Sequence, residues 1–315
     1  MQLLYVLEQL RTPAVTKFFS VLTQLGGVYG FMVLSIIVFW CLDKRCGYFM
    51  LAMGFMGTVL NQFLKIVFRV PRPWVLDPSF HAEPSAIPAA TGFSFPSGHT
   101  QNLFATFGSI FVWTKRAWVR VVCAVLIVLV AFSRMYLGVH TPLDVGVSCV
   151  LGILLLVIFH PVFRDLEAHP KRMYIFILSL AVLLLAFLLY SYLWPFPDWM
   201  YAEEHFVNIT EARHNASLLT GALVGLTIAY TVDLRHTKFD TRAVWWAQIL
   251  KVVVGLVITL AIIEGTKMLL GRSDAVTCLR YFLGILFAGM IWPMTFRWFG
   301  RLGRKNEKKS SQIAI

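Results

Sequence analysis

Residues 118–163 read WVRVVCAVLIVLVAFSRMYLGVHTPLDVGVSCVLGILLLVIFHPVF. Two apolar runs, 118–138 and 142–163, meet at a short polar join that includes His140. Each run has about the 20 residues that a helix needs to cross a bilayer. Similar runs recur along the chain, and the predicted spans are 26–42, 48–70, 96–114, 118–138, 142–163, 173–193, 217–232, 244–266 and 279–298. Composition agrees. Hydrophobic residues make up 58% and charged residues 14% of the 315, with a mean hydropathy of +0.72, against ~25% charged residues in soluble domains. A backbone in lipid must satisfy its own hydrogen bonds. The expected fold is therefore all-α, a polytopic membrane helix bundle of about nine transmembrane helices. Residues 1–20 differ, because Leu3, Leu4, Leu7 and Leu10 share a face with Glu8 and Arg11 interspersed. They read as an amphipathic interfacial helix.

The formal net charge is +12, and its distribution orients the chain. Lys44, Arg45, Lys115, Arg116, Arg120, Arg164, Lys171, Arg172, Arg235, Lys238, Arg242 and the tail from Arg297 to Lys309 fall on one set of connections. That side is expected to be cytoplasmic. The N-terminus and the loops near 71–95, 194–216 and 267–278 are then outside, in a plasma (inner) membrane. The basic tail reads as a topology anchor touching anionic lipid, and no nucleic-acid partner is expected. Cys41, Cys46, Cys123, Cys149 and Cys278 show no metal or redox spacing. No basic segment precedes the first apolar stretch, so a cleaved signal peptide is not expected. Asn208-Ile-Thr210 and Asn215-Ala-Ser217 fit the glycosylation pattern, which matters only outside bacteria.

Ionisable residues beside membrane spans are costly and mark function. Lys65, Arg69 and Arg72 end the second span, where about 100° per residue returns position 72 to the face of position 65. Pro71 is expected to end that helix and free Arg72 to swing. Two or three cations on one face make an anion site, or else snorkelling interfacial cations. Phe95-Pro-Ser97-Gly98-His99-Thr100 opens the third span. Ser97 is placed as a helix N-cap, Gly98 permits close backbone approach, and free N–H groups there suit phosphate. Ser133-Arg134 and His140-Thr-Pro-Leu-Asp144 join the fourth and fifth spans. Thr141, Pro142 and Asp144 fit a capping box, yet Asp144 also reaches His140. A carboxylate on one imidazole nitrogen leaves the other as a nucleophile. The alternation of spans brings all three clusters to one rim of the bundle.

This pattern resembles the type 2 phosphatidic acid phosphatase family: Lys65, Arg72 and Pro73, then Pro96, Ser97, Gly98 and His99, then Ser133, Arg134, His140 and Asp144. The resemblance covers residues 65–144 by motif and assigns 1–163 as a phosphatase core. Residues 164–315 are left as additional membrane helices, of undefined role, with a basic cytoplasmic tail. It implies that His140 attacks phosphorus, Asp144 orients it, and His99 protonates the leaving group. Lys65, Arg72, Ser97, Gly98 and Arg134 would hold the phosphate oxygens. It implies no cofactor and no metal, because Lys and Arg supply the positive charge, and no compact Asp/Glu/His cluster lies near the site. The partners expected are the bilayer and a lipid substrate. A polyprenyl diphosphate such as undecaprenyl diphosphate, or a phospholipid phosphate such as phosphatidic acid or phosphatidylglycerol phosphate, is favoured, with diacylglycerol diphosphate, sphingoid phosphates or a soluble ester as alternatives. Vanadium haloperoxidases share the pocket, but membrane character argues against that use. A phosphotransferase using the same histidine and a non-enzymatic lipid transporter are the other readings. Loop 71–95, with Trp74, Asp77, Phe80, His81 and Glu83, is a candidate substrate lid. Glu264, Lys267, Arg272, Asp274 and Arg280 read as helix-end charges.

Overall fold

The computed structural model describes residues 1–201 and 203–302 and contains no strand among them. Its helices are α1 (Gln2–Gln9), α2 (Pro13–Leu22), α3 (Val28–Ile37), α4 (Lys44–Phe68), α5 (Pro73–Leu76), α6 (Gly98–Leu103), α7 (Ser109–Trp113), α8 (Ala117–Tyr136), α9 (Pro142–Arg164), α10 (Lys171–Leu193), α11 (Glu203–Val232), α12 (Trp245–Leu270), α13 (Asp274–Leu286), α14 (Trp292–Met294) and α15 (Phe296–Phe299). Among the described residues, seven stretches are long and apolar enough to cross a membrane, and a bent pair raises the number to eight. Leu154, Val157, Leu178, Val182, Val253 and Val257 stand exposed along them. Water would penalise such a surface, whereas acyl chains do not. The protein is an integral membrane helix bundle.

The ends of the chain depart in detail from the expected layout. Residues 1–20 form two helices, because Thr12 precedes Pro13 and is extended at φ −123°, ψ 152°. α2 runs through a 3-10 turn (Thr23–Gly26), and extended Gly27 then bends the chain by 55° into α3. The stretch expected as the third span is α6, a π-helical segment (Phe104–Gly108) and α7. At 1.5 Å per residue it is only about 24 Å long, short of the ~30 Å hydrocarbon core. α11 begins earlier than the predicted span, so Asn208 and Asn215 sit within a helix rather than a surface loop. The tail beyond Leu302 lies outside the described residues.

The chain forms two compact units. The first comprises Met1–Ser35, Phe49–Asp165 and Val182–Asn215. Its centre packs Leu103, Phe107, Cys123, Val130, Ala131 and Val145, so α6–α9 share one core. The second comprises Ile36–Tyr48, Leu166–Ala181 and the chain from Ala216 onward. There Lys251 is fully buried, donates to the carbonyls of Trp40 (2.8 Å) and Thr241 (3.1 Å), and lies 4.3 Å above the Phe296 ring. Asp233 in that unit pairs with Lys44 and accepts from Tyr48 Oη at 2.9 Å. Of the C-terminal charges, Lys267 pairs with Glu264 at 2.9 Å, one turn apart on α12.

Candidate active site

The first unit gathers the motif residues where α4, α8 and α9 end or begin. α4 stops at Phe68, and Arg69 turns out of it at φ +53°. Arg72 is extended (φ −69°, ψ 155°) before Pro73 opens α5. Pro71 and Pro73 each lack an N–H and bias the residue before them away from the helical region. The Arg72 guanidinium, 6% exposed, therefore swings inward. It donates from Nε to the Gly92 carbonyl (3.0 Å), from Nη2 to the Thr91 carbonyl, and from Nη1 to the Val139 carbonyl (3.0 Å). Lys65 Nζ donates to the same Thr91 carbonyl at 3.3 Å. Gly92 holds φ +63°, a left-handed conformation that glycine adopts without strain.

Arg72 Nη1 also lies 3.1 Å from His140 Nε2. A guanidinium cannot accept a hydrogen bond, so Nε2 is the acceptor and Nδ1 carries the proton. That Nδ1 faces Ser94 Oγ at 3.4 Å and Asp144 Oδ2 at 3.5 Å. The short bonds of Asp144 come from Ser94 Oγ (2.6 Å) and the Thr141 N–H (2.7 Å). Ser94 thus stands between histidine and carboxylate. The expected capping box is present: Thr141 Oγ1 accepts from the Asp144 N–H at 3.3 Å. His140 occupies the turn between α8 and α9, which Gly138 closes at φ +76°. Burial first, then the Arg72, Arg134 and Lys65 cations, hold its imidazole well below the usual histidine range. His140 is accordingly neutral, with its Nε2 lone pair directed at a cation.

Ser97 caps α6, accepting from the Thr100 N–H at 3.4 Å and the Thr100 hydroxyl at 3.0 Å. Its own N–H donates to the Asp144 carbonyl at 3.2 Å, tying the start of α6 to the start of α9. A Cβ on Gly98 would stand 3.5 Å from Asn61 Oδ1, and Asn61 Nδ2 holds the Pro96 carbonyl at 3.1 Å. Arg134, 1% exposed, donates from Nη1 to Thr23 Oγ1 at 2.8 Å, while its Nε and Nη2 have no hydrogen-bond partner among the described residues. Among the described residues His99 makes no hydrogen bond to His140, and it feels the charges of Arg134, Lys65 and Arg72. Its Nε2 faces the Gly26–Gly27 bend, 3.9 Å from where a Cβ on Gly27 would be.

Three buried cations, one with two unsatisfied donors, and one buried carboxylate already bonded to neutral donors make a site for a polyanion with several acceptor oxygens. Lys65, Arg72, His140 and Asp144 are joined through at most one intervening group. Ser97 and Gly98 flank them, and His99 and Arg134 stand within electrostatic reach. Sequence reasoning missed Ser94, Asn61 and Thr23. Asn61 had a signal, since it lies one turn before Lys65 on α4. Thr23 had none, being 111 residues from Arg134. Loop 71–95 is pinned down rather than free: Tyr5 Oη donates to Asp77 at 2.7 Å, and the Glu83 N–H donates to the Leu137 carbonyl at 2.9 Å. Phe80 is buried against Leu4.

Comparison with known proteins identifies the family. Residues 46–168 match the PAP2 superfamily, and residues 218–305 match a family described as PAP2 superfamily phosphatase, transmembrane extension. The chain is 35% identical over 103 residues to undecaprenyl-diphosphatase BcrC of Bacillus subtilis, covering 32% of this chain and 50% of that protein. It is 30% identical over 122 residues to an undecaprenyl-diphosphatase of Sulfolobus acidocaldarius, covering 38% and 56% respectively. Phosphatidylglycerophosphatase B of Bacillus subtilis is 30% identical over 159 residues, covering 46% of this chain and 74% of that protein. The chain thus spans about half the length of the first two of these relatives. No solved structure matches it. Given the extent of the third alignment and the two family segments, the chain belongs to the PAP2 superfamily.

Proposed function

We propose that this protein is a membrane lipid phosphatase that works through a phosphohistidine on the extracytoplasmic side of a plasma (inner) membrane. The observation that carries this reading is the polarity of His140: Nε2 faces the Arg72 cation, and Nδ1 faces Ser94 and Asp144. The substrate phosphate displaces Nε2 as the partner of Arg72 and gathers Lys65, Arg134, the Ser97 hydroxyl and the Gly98 amide. Nε2 attacks phosphorus, the bond to the leaving oxygen breaks, and His99 gives that oxygen a proton. Water then attacks the phosphohistidine, with His99 taking the water proton, and the phosphorus–nitrogen bond breaks to restore His140. The cations stabilise charge that grows on the equatorial oxygens.

A polyprenyl diphosphate or a phospholipid phosphate is the favoured substrate. Support comes from the membrane setting and from relatives named undecaprenyl-diphosphatase and phosphatidylglycerophosphatase. The N-terminus and site outside, with the C-terminus cytoplasmic, rest on the Lys and Arg bias. Residues 1–163 supply the chemistry, and 164–315 are additional membrane helices. The test is phosphate release by purified protein from lipid mono- and diphosphates, with a soluble ester as control. His140→Ala is expected to abolish it. Release that survives this substitution would refute the proposal, and transfer of the phosphoryl group to an added lipid alcohol in preference to water would replace hydrolysis with phosphotransfer.

A further inference from the structure

α11 brings to the phosphate cradle a carboxylate that none of the three motifs contains. Glu211 Oε2 lies 3.5 Å from the point a Cβ on Gly92 would occupy, and Lys65 Nζ lies 3.9 Å from the same point. The acid and the lysine therefore both approach the same stretch of backbone, at a residue that carries no side chain. That backbone is the one whose carbonyls hold Arg72 and Lys65. Both cations feel the Glu211 charge. One turn further along α11, Asn215 Nδ2 donates to Gln62 Oε1 at 3.2 Å. Gln62 lies three residues before Lys65 on α4, so this bond docks the Glu211 turn of α11 beside the Lys65 turn.

A carboxylate at this place opposes the anion that the cations attract. Lys65, Arg72 and Arg134 against Asp144 alone leave a strongly positive pocket, and Glu211 removes one unit of that charge. A bound diphosphate carries more negative charge than a monophosphate and so is opposed more. Released phosphate, held by the same cations, is opposed as well.

We propose that Glu211 is a specificity-determining residue whose charge loosens bound phosphate and weights the site against the more highly charged of two competing phosphate substrates. The proposal rests on the phosphate-site reading above, and it assigns to α11 a role at that site. One charge roughly 10 Å away in a partly screened site changes affinity by about tenfold.

The experiment compares wild type with Glu211→Gln, Glu211→Ala and Glu211→Asp, purified in detergent. Inorganic phosphate is titrated by calorimetry and as an inhibitor. A lipid monophosphate and a diphosphate with the same tail serve as substrates. Glu211→Gln and Glu211→Ala are expected to bind inorganic phosphate about tenfold more tightly and to lower KM more for the diphosphate than for the monophosphate. The difference shrinks in 1 M salt. Glu211→Asp keeps the wild-type values, which a packing role alone would not explain. Unchanged or weaker phosphate binding in both neutral variants, beside a wild type that binds and hydrolyses normally, overturns the Glu211 role and leaves the phosphatase reading standing. A wild type that neither binds phosphate nor releases it from any substrate overturns both.

Discussion

Ser94→Ala tests the geometry behind His140 most directly. Ser94 is fully buried, and its Oγ donates to Asp144 Oδ2 at 2.6 Å while facing His140 Nδ1 at 3.4 Å. Removing the hydroxyl leaves Asp144 with the Thr141 N–H as its remaining short contact at Oδ2 and leaves Nδ1 opposite a carboxylate 3.5 Å away. A hydrogen bond to a charged group contributes about 1.5–3 kcal/mol. If that energy serves to hold the imidazole for attack, kcat/KM falls by roughly 10- to 100-fold, since about 1.4 kcal/mol is tenfold in rate. The loss belongs mainly to kcat, because the Ser94 hydroxyl bonds Asp144 and faces His140 rather than serving as a phosphate ligand. The assay is steady-state phosphate release on the best lipid substrate, with thermal unfolding run in parallel to show that the variant folds. A folded Ser94→Ala with wild-type or higher kcat refutes the idea that Ser94 links histidine to carboxylate. That result would mean that Asp144 reaches Nδ1 better without the intervening hydroxyl.

Two further outcomes follow from the same site. His99→Asn is expected to slow release of a lipid alcohol by roughly 10²- to 10⁴-fold, the usual worth of a general acid. It should slow a diphosphate much less, because the departing phosphate (second pKa about 6) hardly needs a proton, so equal losses on both would count against His99 as the acid. The pH profile carries the sign of the His140 shift. The nucleophile is the neutral form, and its value is depressed in the folded protein, so it stays neutral below the ordinary ~6.5. Stability tied to neutral His140 is likewise lost only as pH falls. The acid limb of kcat/KM, which reports the free enzyme, should lie below 6.5. An acid limb above that value that persists when each of the other histidines is replaced would refute the depressed His140 value.

Much of the architecture was legible because lipid imposes simple demands. A run such as 142–163 has no polar partner for its backbone except itself, so α9 is almost forced. Local chemistry marked its start as well: Thr141, Pro142 and Asp144 form the capping box that their spacing implies. Helix ends without such signals were read less well. The predicted loop 194–216 gave way to α11, whose first turns are polar and carry no apolar stripe. The bend at Gly27 lies inside a continuous apolar run, and hydropathy is blind to it.

The candidate site divides in the same way. Lys65, Arg72, Ser97, Gly98, His99, Arg134, His140 and Asp144 could be named from the chain because each stands out as a polar group beside an apolar span, in an ordered pattern. What the chain alone determined was therefore a membrane helix bundle with a cation-rich histidine site. Only the tertiary structure decided which His140 nitrogen faces the cation, and that Ser94 stands between His140 and Asp144. It also brought Thr23 to Arg134 and Glu211 toward Lys65. The reason is physical: spacing along a helix specifies which residues share a face, whereas a hydrogen bond between segments over a hundred residues apart depends on how those helices pack.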